Sequence, residues 1–363
     1  MINKYYSKNR YFKDEIKEYF IKNGWININK LNDNKIYYDV DYFDKICKDC
    51  EVVNQLEDIN YLGNKKLQYE NIINFYKKKP NYVPLTIAFT KSNIDNIKNS
   101  FKSNFYILKP ENASFRSGIQ VINSFDQAYN WVNNNKYENW IMQEYIKDPL
   151  LYNNRKFHLR IYSILKIDKL KMVTYVYYYG FMYSAKNEYK LTIDSDSALS
   201  GEGSEEQVNL FPQDFIKKFS FNKYEYVKKQ INYIIKDTIL AASHTLKCPN
   251  RENSKYKCFK LLGYDLLVDS KFNVKLLEIN ARFITFKYPP ENYKKKMYFN
   301  ILDLIFKDDM TNFDNVNTIY FNNKLIENFD NKVEFNNSEN FLLFYIKLIS
   351  FLIILILLFI IDN

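Results

Sequence analysis

The chain has 363 residues, a formal net charge of +10 and a pI near 9.0, a length that allows about one to three domains. Hydrophobic residues make up 47% and only 7 Gly and 8 Pro interrupt them, which excludes a disordered or fibrous chain. The charge suits nucleic acid, anionic lipid or an acidic polypeptide, but it is spread as scattered Lys with no Arg-rich arm or base-stacking signature, so no nucleic-acid partner is expected.

Taken in chain order, the first 85 residues read as an N-terminal and central subdomain. Cys47 and Cys50 form a C-x-x-C there, but the other two cysteines, Cys248 and Cys258, are spaced too widely to complete a zinc knuckle. Free thiols are the expectation for all four. Residues 104–122 (NFYILKPENASFRSGIQVI) predict a strand that delivers Lys109, then a small-residue loop with Ser114, Ser117 and Gly118, then a second strand. A lysine at a strand end beside such a loop can clamp phosphate; an ordinary turn fits this stretch equally well. Residues 140–146 (WIMQEYI) predict an apolar strand ending in Gln143 and Glu144. In the run 155–161 (RKFHLRI), period-two alternation places Lys156, His158 and Arg160 on one strand face. Three cationic groups so placed need anions or solvent, and both a phosphate-lined cleft and a solvated edge strand satisfy them. Residues 172–179 continue the strands, and 224–246 carries apolar residues at helical spacing.

Residues 261–280 (LLGYDLLVDSKFNVKLLEIN) predict a hairpin with its turn near Ser270 and Lys271. Glu278 and Asn280 then share a face, and Asp265 pairs at about Leu277, next to Glu278. Two carboxylates brought together repel unless a cation lies between them. An oxygen-only set selects a hard cation, and Mg²⁺ carrying nucleotide phosphates fits best; outward, solvated positions on an amphipathic sheet fit the pattern as well. Residues 292–306 again have helical spacing, and 311–340 read as a polar, Asn-rich linker. The run 341–361 (FLLFYIKLISFLIILILLFII) has about 21 residues with one charge, enough to span a bilayer's hydrocarbon core. Lys347 sits where its amine can snorkel to the interface. A single-pass C-terminal anchor is predicted, with the remainder in the cytosol. The mixture of clustered strands and flanking helices predicts an α+β body with a largely antiparallel sheet.

The order of these pieces (lysine and loop, a connecting strand, a K-x-x-x-R strand, then a D…E-x-N hairpin) resembles the tubulin–tyrosine ligase-like family of the ATP-grasp superfamily. The similar segments are YILKP with its loop, MQEYIKDPLLYNNRKFHLRIYSIL, LLGYDLLVD and VKLLEINA, preceded by NYLGNKKLQYENI and NYVPLTIAF, so that the likeness covers roughly residues 45–305. It implies an ATP-grasp catalytic region over 86–310, with antiparallel sheets and flanking helices enclosing a nucleotide cleft. Lys109 would hold the α/β-phosphates, with Lys65 or Lys66 as a second clamp and Ser117 and Gly118 in the loop over the nucleotide. The backbone from Gln143 through Glu144 and Tyr145 to Ile146 would take the adenine edge, Lys156 and His158 would sit by the nucleotide, and Arg160 would neutralise the transferred phosphate. Asp265, Glu278 and Asn280 would bind Mg²⁺. The implied reaction uses ATP to activate a carboxylate as an acyl-phosphate, which an amine attacks; Arg160, Lys109 and Glu278 are its candidate catalytic residues. An acidic protein tail such as tubulin and an amino acid are the implied partners. Four positions depart from the family pattern: His158 stands where an aspartate is usual, Tyr183 stands where a second arginine is usual, the H-L-T-N-like segment is not recognisable in 195–211, and N-G-x-P has become Asn280-Ala281-Arg282-Phe283. A membrane-anchored ATP-binding pseudoenzyme and a ligase for a non-tubulin acceptor are the alternative functions.

Overall fold

The computed structural model describes residues 4–7, 13–27, 36–39, 52–101, 105–113, 116–168, 170–200, 208–248, 257–281 and 291–320. All of them fall within one compact unit, Met1–Phe321. The chain opens with β1 (Lys4–Ser7), α1 (Lys13–Lys22), β2 (Ile26–Asn27), β3 (Ile36–Asp39) and β4 (Val52–Val53). It continues through α2 (Asn60–Gly63), α3 (Lys65–Tyr76), β5 (Thr86–Thr90), a 3₁₀ stretch (Lys91–Ser100), β6 (Tyr106–Pro110), β7 (Gln120–Ile122), α4 (Phe125–Asn133) and β8 (Asn139–Glu144). The next elements are β9 (Leu151–Tyr152), β10 (Arg155–Ile167), β11 (Lys171–Tyr177), β12 (Gly180–Ser184), α5 (Ser195–Ala198), β13 (Val208–Phe211), α6 (Gln213–Phe219) and α7 (Phe221–Ala242). β14 (Lys257–Val268), β15 (Val274–Asn280), α8 (Glu291–Lys307) and β16 (Phe313–Tyr320) complete the described chain.

The architecture is mixed α+β. A large sheet runs β13-β12-β10-β14-β4-β3-β1-β2, with β11 on β10 and β16, β15 on β14, and β9 on β10; β5-β8-β6-β7 form a separate four-stranded sheet. Pairing around β10, and throughout the small sheet, is antiparallel, while β4 joins β14 and β3 in parallel. The central strands read as nearly continuous apolar runs because helices cover both faces, and alternation sorts their side chains between two cores. Leu159, Ile161, Leu165 and Ile167 of β10 join Leu262, Tyr264 and Leu266 of β14 against Val227, Ile231, Ile234 and Ile235 of α7. On the other face Tyr162 and Ile164 meet Phe259 and Leu261, Ile16 and Phe20 of α1, and Met297, Ile301 and Leu302 of α8. The small sheet packs Phe89, Leu108, Ile122 and Met142 on Ala128 and Val132 of α4.

Three expectations need correction. The strand expected over 172–179 ends at Tyr177, and a separate strand, β12, begins at Gly180, because β12 shifts along β10 to pair Phe181 with Arg160 while β11 pairs farther along. Gly180 enters that second pairing so closely that a Cβ there would lie 2.5 Å from the Arg160 carbonyl oxygen. Phe313–Tyr320, assigned to the polar linker, is β16, whose backbone completes the β11 edge and whose Phe313 is buried beside Tyr177. Cys248 and Cys258 are joined in a disulfide with Cα atoms 5.7 Å apart, since the segment after α7 returns beside the start of β14; they are not free thiols. Cys47 and Cys50, and the run 341–361 read as a membrane anchor, lie outside the described residues. Among the described residues no helix is long and apolar enough to cross a membrane.

Candidate active site

A cleft of about 380 Å³ opens where the small sheet faces the end of β10, β14 and β15. The large sheet's contribution follows from strand parity. Lys156, His158 and Arg160 continue the face that carries Tyr162 and Ile164 farther along β10, beyond the reach of the apolar core. β10 pairs Arg160 directly with Asp265, and β14 pairs Asp265 directly with Glu278 and Gly263 with Asn280. A bulge in the β14–β15 pairing just past Asp265 breaks the alternation: Val274 and Leu276 pack in the α7-side core, whereas Glu278 and Asn280 line the cleft.

Electrostatically the site is a chain of buried pairs. Arg160 grips Asp265 through two bonds, Nε to Oδ1 at 2.5 Å and Nη2 to Oδ2 at 2.9 Å, a charge-assisted fork. Asn280 Nδ2 adds a third donor to Asp265 Oδ2 at 3.0 Å. Burial alone would raise the Asp265 carboxyl's pKa, but Arg160, followed by His158, holds it below the ordinary value. Burial likewise opposes the charge on Arg160, and Asp265 outweighs it and raises the guanidinium's pKa. Gly263 gives the Arg160 side chain its room, since a Cβ there would lie 3.3 Å from Arg160 Cδ.

Two lysines are presented without so strong a counter-charge. Lys109, at the end of β6, donates to Gln143 Oε1 at 2.8 Å, and Gln143 is held in turn by Thr86. Burial pushes its pKa down to about 8, with Glu278 opposing the shift. Lys156 lies 3.8 Å over the Tyr145 ring, and burial, reinforced by Lys109, pushes it down to about 7. Lys65, in the first turn of α3, reaches Glu278 Oε2 at 3.6 Å and donates to the Ala113 carbonyl at 3.0 Å. His158 accepts or donates at Nδ1 to Ser200 Oγ at 2.9 Å, stacks on Tyr183, and points Nε2 at Asp265 Oδ1 from 3.7 Å. Its burial lowers the imidazole's pKa.

Of the residues singled out from the sequence, Lys65, Lys109, Gln143, Glu144, Tyr145, Ile146, Lys156, His158, Arg160, Asp265, Glu278 and Asn280 all line this cleft. Lys66, Ser117 and Gly118 do not. Lys66 points outward, 4.0 Å from Glu70. Ser117 bonds the Tyr137 hydroxyl, and Gly118 has φ +73° with no space for a Cβ against Pro110 and Tyr137; this glycine serves a tight turn packed on the small sheet. The Glu144 and Tyr145 N–H groups donate to the Leu85 and Phe105 carbonyls, so those two amides are already engaged by protein.

Cleft residues that the sequence reading passed over include Asn64, Glu111, Asn112, Arg116 and Ser200. Asn64 caps α3 by accepting from the Leu67 N–H and donates to Glu111 and Asn112. Its place immediately before a helix was the available signal; nothing local marks the others. The donor set fits a hard cation beside a polyanion. Asp265, Glu278 and Asn280 offer oxygen alone, and no protein cluster of three or more His, Cys, Asp or Glu exists among the described residues. A cation here would therefore complete its shell with phosphate oxygens and water, as Mg²⁺ does.

The tubulin-tyrosine ligase family model matches residues 44–318. The chain is 25% identical over 267 residues to a tubulin polyglutamylase of Homo sapiens, covering 63% of this chain and 29% of that protein. It is 30% identical over 200 residues to a tubulin glycylase of Tetrahymena thermophila, covering 50% of this chain and 19% of the relative. A probable tubulin–tyrosine ligase of Schizosaccharomyces pombe is 29% identical over 249 residues, 58% of each chain. The matched region is thus a minor part of the first two proteins' lengths and just over half of the third.

Proposed function

The chain belongs to the tubulin–tyrosine ligase family, and on that premise we propose that it is an ATP-grasp ligase that uses ATP and Mg²⁺ to join an amino acid to an acidic protein tail, tubulin being the expected acceptor. The observation that carries this reading is the convergence in one cleft of Lys65, Lys109, Lys156 and Arg160 with the oxygen set Asp265, Glu278 and Asn280. That combination matches a nucleoside triphosphate and its cation rather than either alone.

In this reading Lys109 and Lys65 hold the nucleotide's phosphates, and Lys156, cradled on Tyr145, completes the cationic wall. Asp265, Glu278 and Asn280 would hold Mg²⁺, which when bound neutralises phosphate charge. Arg160 faces the transferred phosphate with its guanidinium locked in one orientation by Asp265. A substrate carboxylate oxygen attacks the γ-phosphorus as the bond to ADP breaks, giving an acyl-phosphate. The incoming amine then attacks the acyl carbon, phosphate leaves, and the nitrogen loses a proton to form the amide. The protein contributes placement and charge neutralisation, both of which need a rigid, desolvated cleft.

A second reading, a pseudoenzyme that binds ATP without transfer, is favoured by one observation. Tyr183 stacks on His158 at the cleft wall, where the family resemblance leads one to expect charged groups. A ligase for a non-tubulin acceptor uses the same machinery. Incubation with ATP, Mg²⁺, tubulin and labelled Glu, Gly or Tyr separates the three. Label incorporated into tubulin supports the first; ADP release that depends on another acceptor supports the last; nucleotide binding without turnover supports the pseudoenzyme and removes the ligase.

The run 341–361 is proposed to anchor the protein in a membrane, with the folded body on the cytosolic side. About 20 apolar residues hold a chain in hydrocarbon almost irreversibly. Membrane fractions extracted with alkaline carbonate should retain the full-length chain, and release into the soluble fraction would remove this reading.

A further inference from the structure

We propose that Gln68 is a positioning residue for the cation ligands: together with the Tyr82 carbonyl it clamps the outer edge of β15 on either side of its bulge, and so fixes where Glu278 and Asn280 stand in the cleft. The inference rests on the reading that these two residues hold Mg²⁺, and it applies to a ligase and to a pseudoenzyme alike.

The need for a clamp follows from the bulge. Asp265 pairs with Glu278 and Leu266 with Leu276, so Leu277 is an extra residue in β15. An extra residue interrupts the ladder and leaves the strand's path less well fixed by its neighbour. Among the described strands β15 pairs with β14 alone, so no second strand holds its far edge. On an unbroken strand the N–H groups of residues three apart face opposite edges. Leu276 and Ile279 are three apart, yet both donate outside the β14 pairing. The Leu276 N–H donates to the Tyr82 carbonyl at 2.8 Å, and the Ile279 N–H donates to Gln68 Oε1 at 3.2 Å. The inserted Leu277 is what turns both to one edge, and the two bonds bracket Glu278.

Gln68 does not line the cleft itself, so it acts through the strand. Its side chain is buried, where an N–H or an amide oxygen left unpaired is costly. It stands three residues after Lys65 on α3, and residues so spaced share a helix face. That one face meets Glu278 through Lys65 Nζ at 3.6 Å and the next peptide of β15 through Gln68. The helix that carries both is held at each end. Asn64 caps its start, and at its last residue the Tyr76 hydroxyl donates to Asp237 of α7 at 2.5 Å. The Tyr82 hydroxyl donates to the same carboxylate, which ties the second half of the clamp to α7 as well. Just before α3, Gly63 packs so closely that a Cβ there would lie 2.9 Å from Ala281 Cβ. A shift of α3 or of the 80–83 segment would therefore move Glu278 and Asn280 relative to Asp265.

The test titrates the full-length chain with β,γ-methylene-ATP in Mg²⁺ and in EDTA by calorimetry, and follows amide exchange of residues 274–280 by mass spectrometry. Gln68→Met keeps the side chain's length and removes its oxygen acceptor. The tightening that Mg²⁺ confers should become about tenfold smaller in this variant, with affinity in EDTA changed less than about twofold. Residues 274–280 should also exchange faster. Ile72→Val trims a buried side chain on the same helix and controls for plain loss of stability; its Mg²⁺ effect should stay within about twofold of wild type. An unchanged Mg²⁺ effect in Gln68→Met, or an equal loss in Ile72→Val, would overturn the positioning role. Should Gln68→Met not fold, Tyr82→Phe loosens the clamp from its other side: a weakened Mg²⁺ effect there supports the clamp and an unchanged one overturns it. Glu278→Gln separates this inference from the reading beneath it. A wild-type Mg²⁺ effect in Glu278→Gln refutes the cation site and the clamp with it, whereas a loss there beside none in Gln68→Met refutes the clamp alone.

Discussion

Glu278 and Asp265 face each other across the β14–β15 pairing, and replacing each by its amide should have consequences of very different size for stability and the same consequence for turnover. Asp265 is the buried half of a two-bond pair with Arg160; their side chains are 10% and 13% exposed. Asp265→Asn leaves a buried guanidinium without its counter-charge, a loss of about 3–5 kcal/mol. At about 2–4 °C per kcal/mol for a domain of this size, the melting temperature should fall by roughly 6–20 °C. Glu278 is 28% exposed and has Lys65 as its partner at 3.6 Å. Glu278→Gln removes a partly solvated pair of about 0.2–1 kcal/mol, and the melting temperature should move by less than about 4 °C. ADP release should nevertheless drop by at least ~10²-fold in Glu278→Gln, because the proposed ligase mechanism assigns this carboxylate to the cation on the transferred phosphate. Thermal unfolding and a coupled ADP assay on the same preparations provide both readouts. The pH dependence adds a sign check. Arg160 holds the Asp265 carboxyl below its ordinary value, so its stabilisation is present above about pH 4 and fades as pH falls. The stability gap between wild type and Asp265→Asn should therefore shrink in acid. Turnover within threefold of wild type in Glu278→Gln, or an Asp265→Asn protein as stable as Glu278→Gln, would refute the reasoning.

The remaining predictions test other parts of the site. Lys65→Ala should weaken ATP binding at least tenfold while Lys66→Ala changes it less than about twofold, as read by titration calorimetry; equal effects would mean that both amines reach the nucleotide. Burial holds Lys109 near 8 and Lys156 near 7, and polyphosphate favours the charged amines. Binding should therefore take up protons near pH 8, and affinity should fall as pH rises from 7 to 9; calorimetry in two buffers of different ionisation enthalpy measures this uptake, and its absence would mean that both amines are charged before binding. Gly180→Ala puts a methyl 2.5 Å from the Arg160 carbonyl, which should cost about 2 kcal/mol or more and lower the melting temperature by about 4 °C or more; an unchanged melting temperature would show that β12 can shift without loss.

What the sequence determined by itself was local. Period-two alternation was enough to align Lys156, His158 and Arg160, and to place Glu278 and Asn280 together, because side chains two apart on a strand share a face whatever surrounds it. Strand β10 and helices α7 and α8 were visible for the same reason: long apolar patterns have one economical conformation. Tertiary structure decided everything that depends on approach between distant segments. The bulge just past Asp265 sends Glu278 into the cleft while Leu276 stays in the core, and no alternation rule predicts where a register will slip. Lys65 rather than Lys66 reaches Glu278 because Asn64 caps α3 and sets that helix's phase. Ser117 and Gly118 have the composition of a phosphate loop yet turn away, since Gly118 is packed on Pro110 and Tyr137. Cys248 meets Cys258 because α7 returns the chain to the start of β14. In each case the deciding quantity is a contact between residues far apart in space until folding, and composition or spacing along the chain carries no record of it.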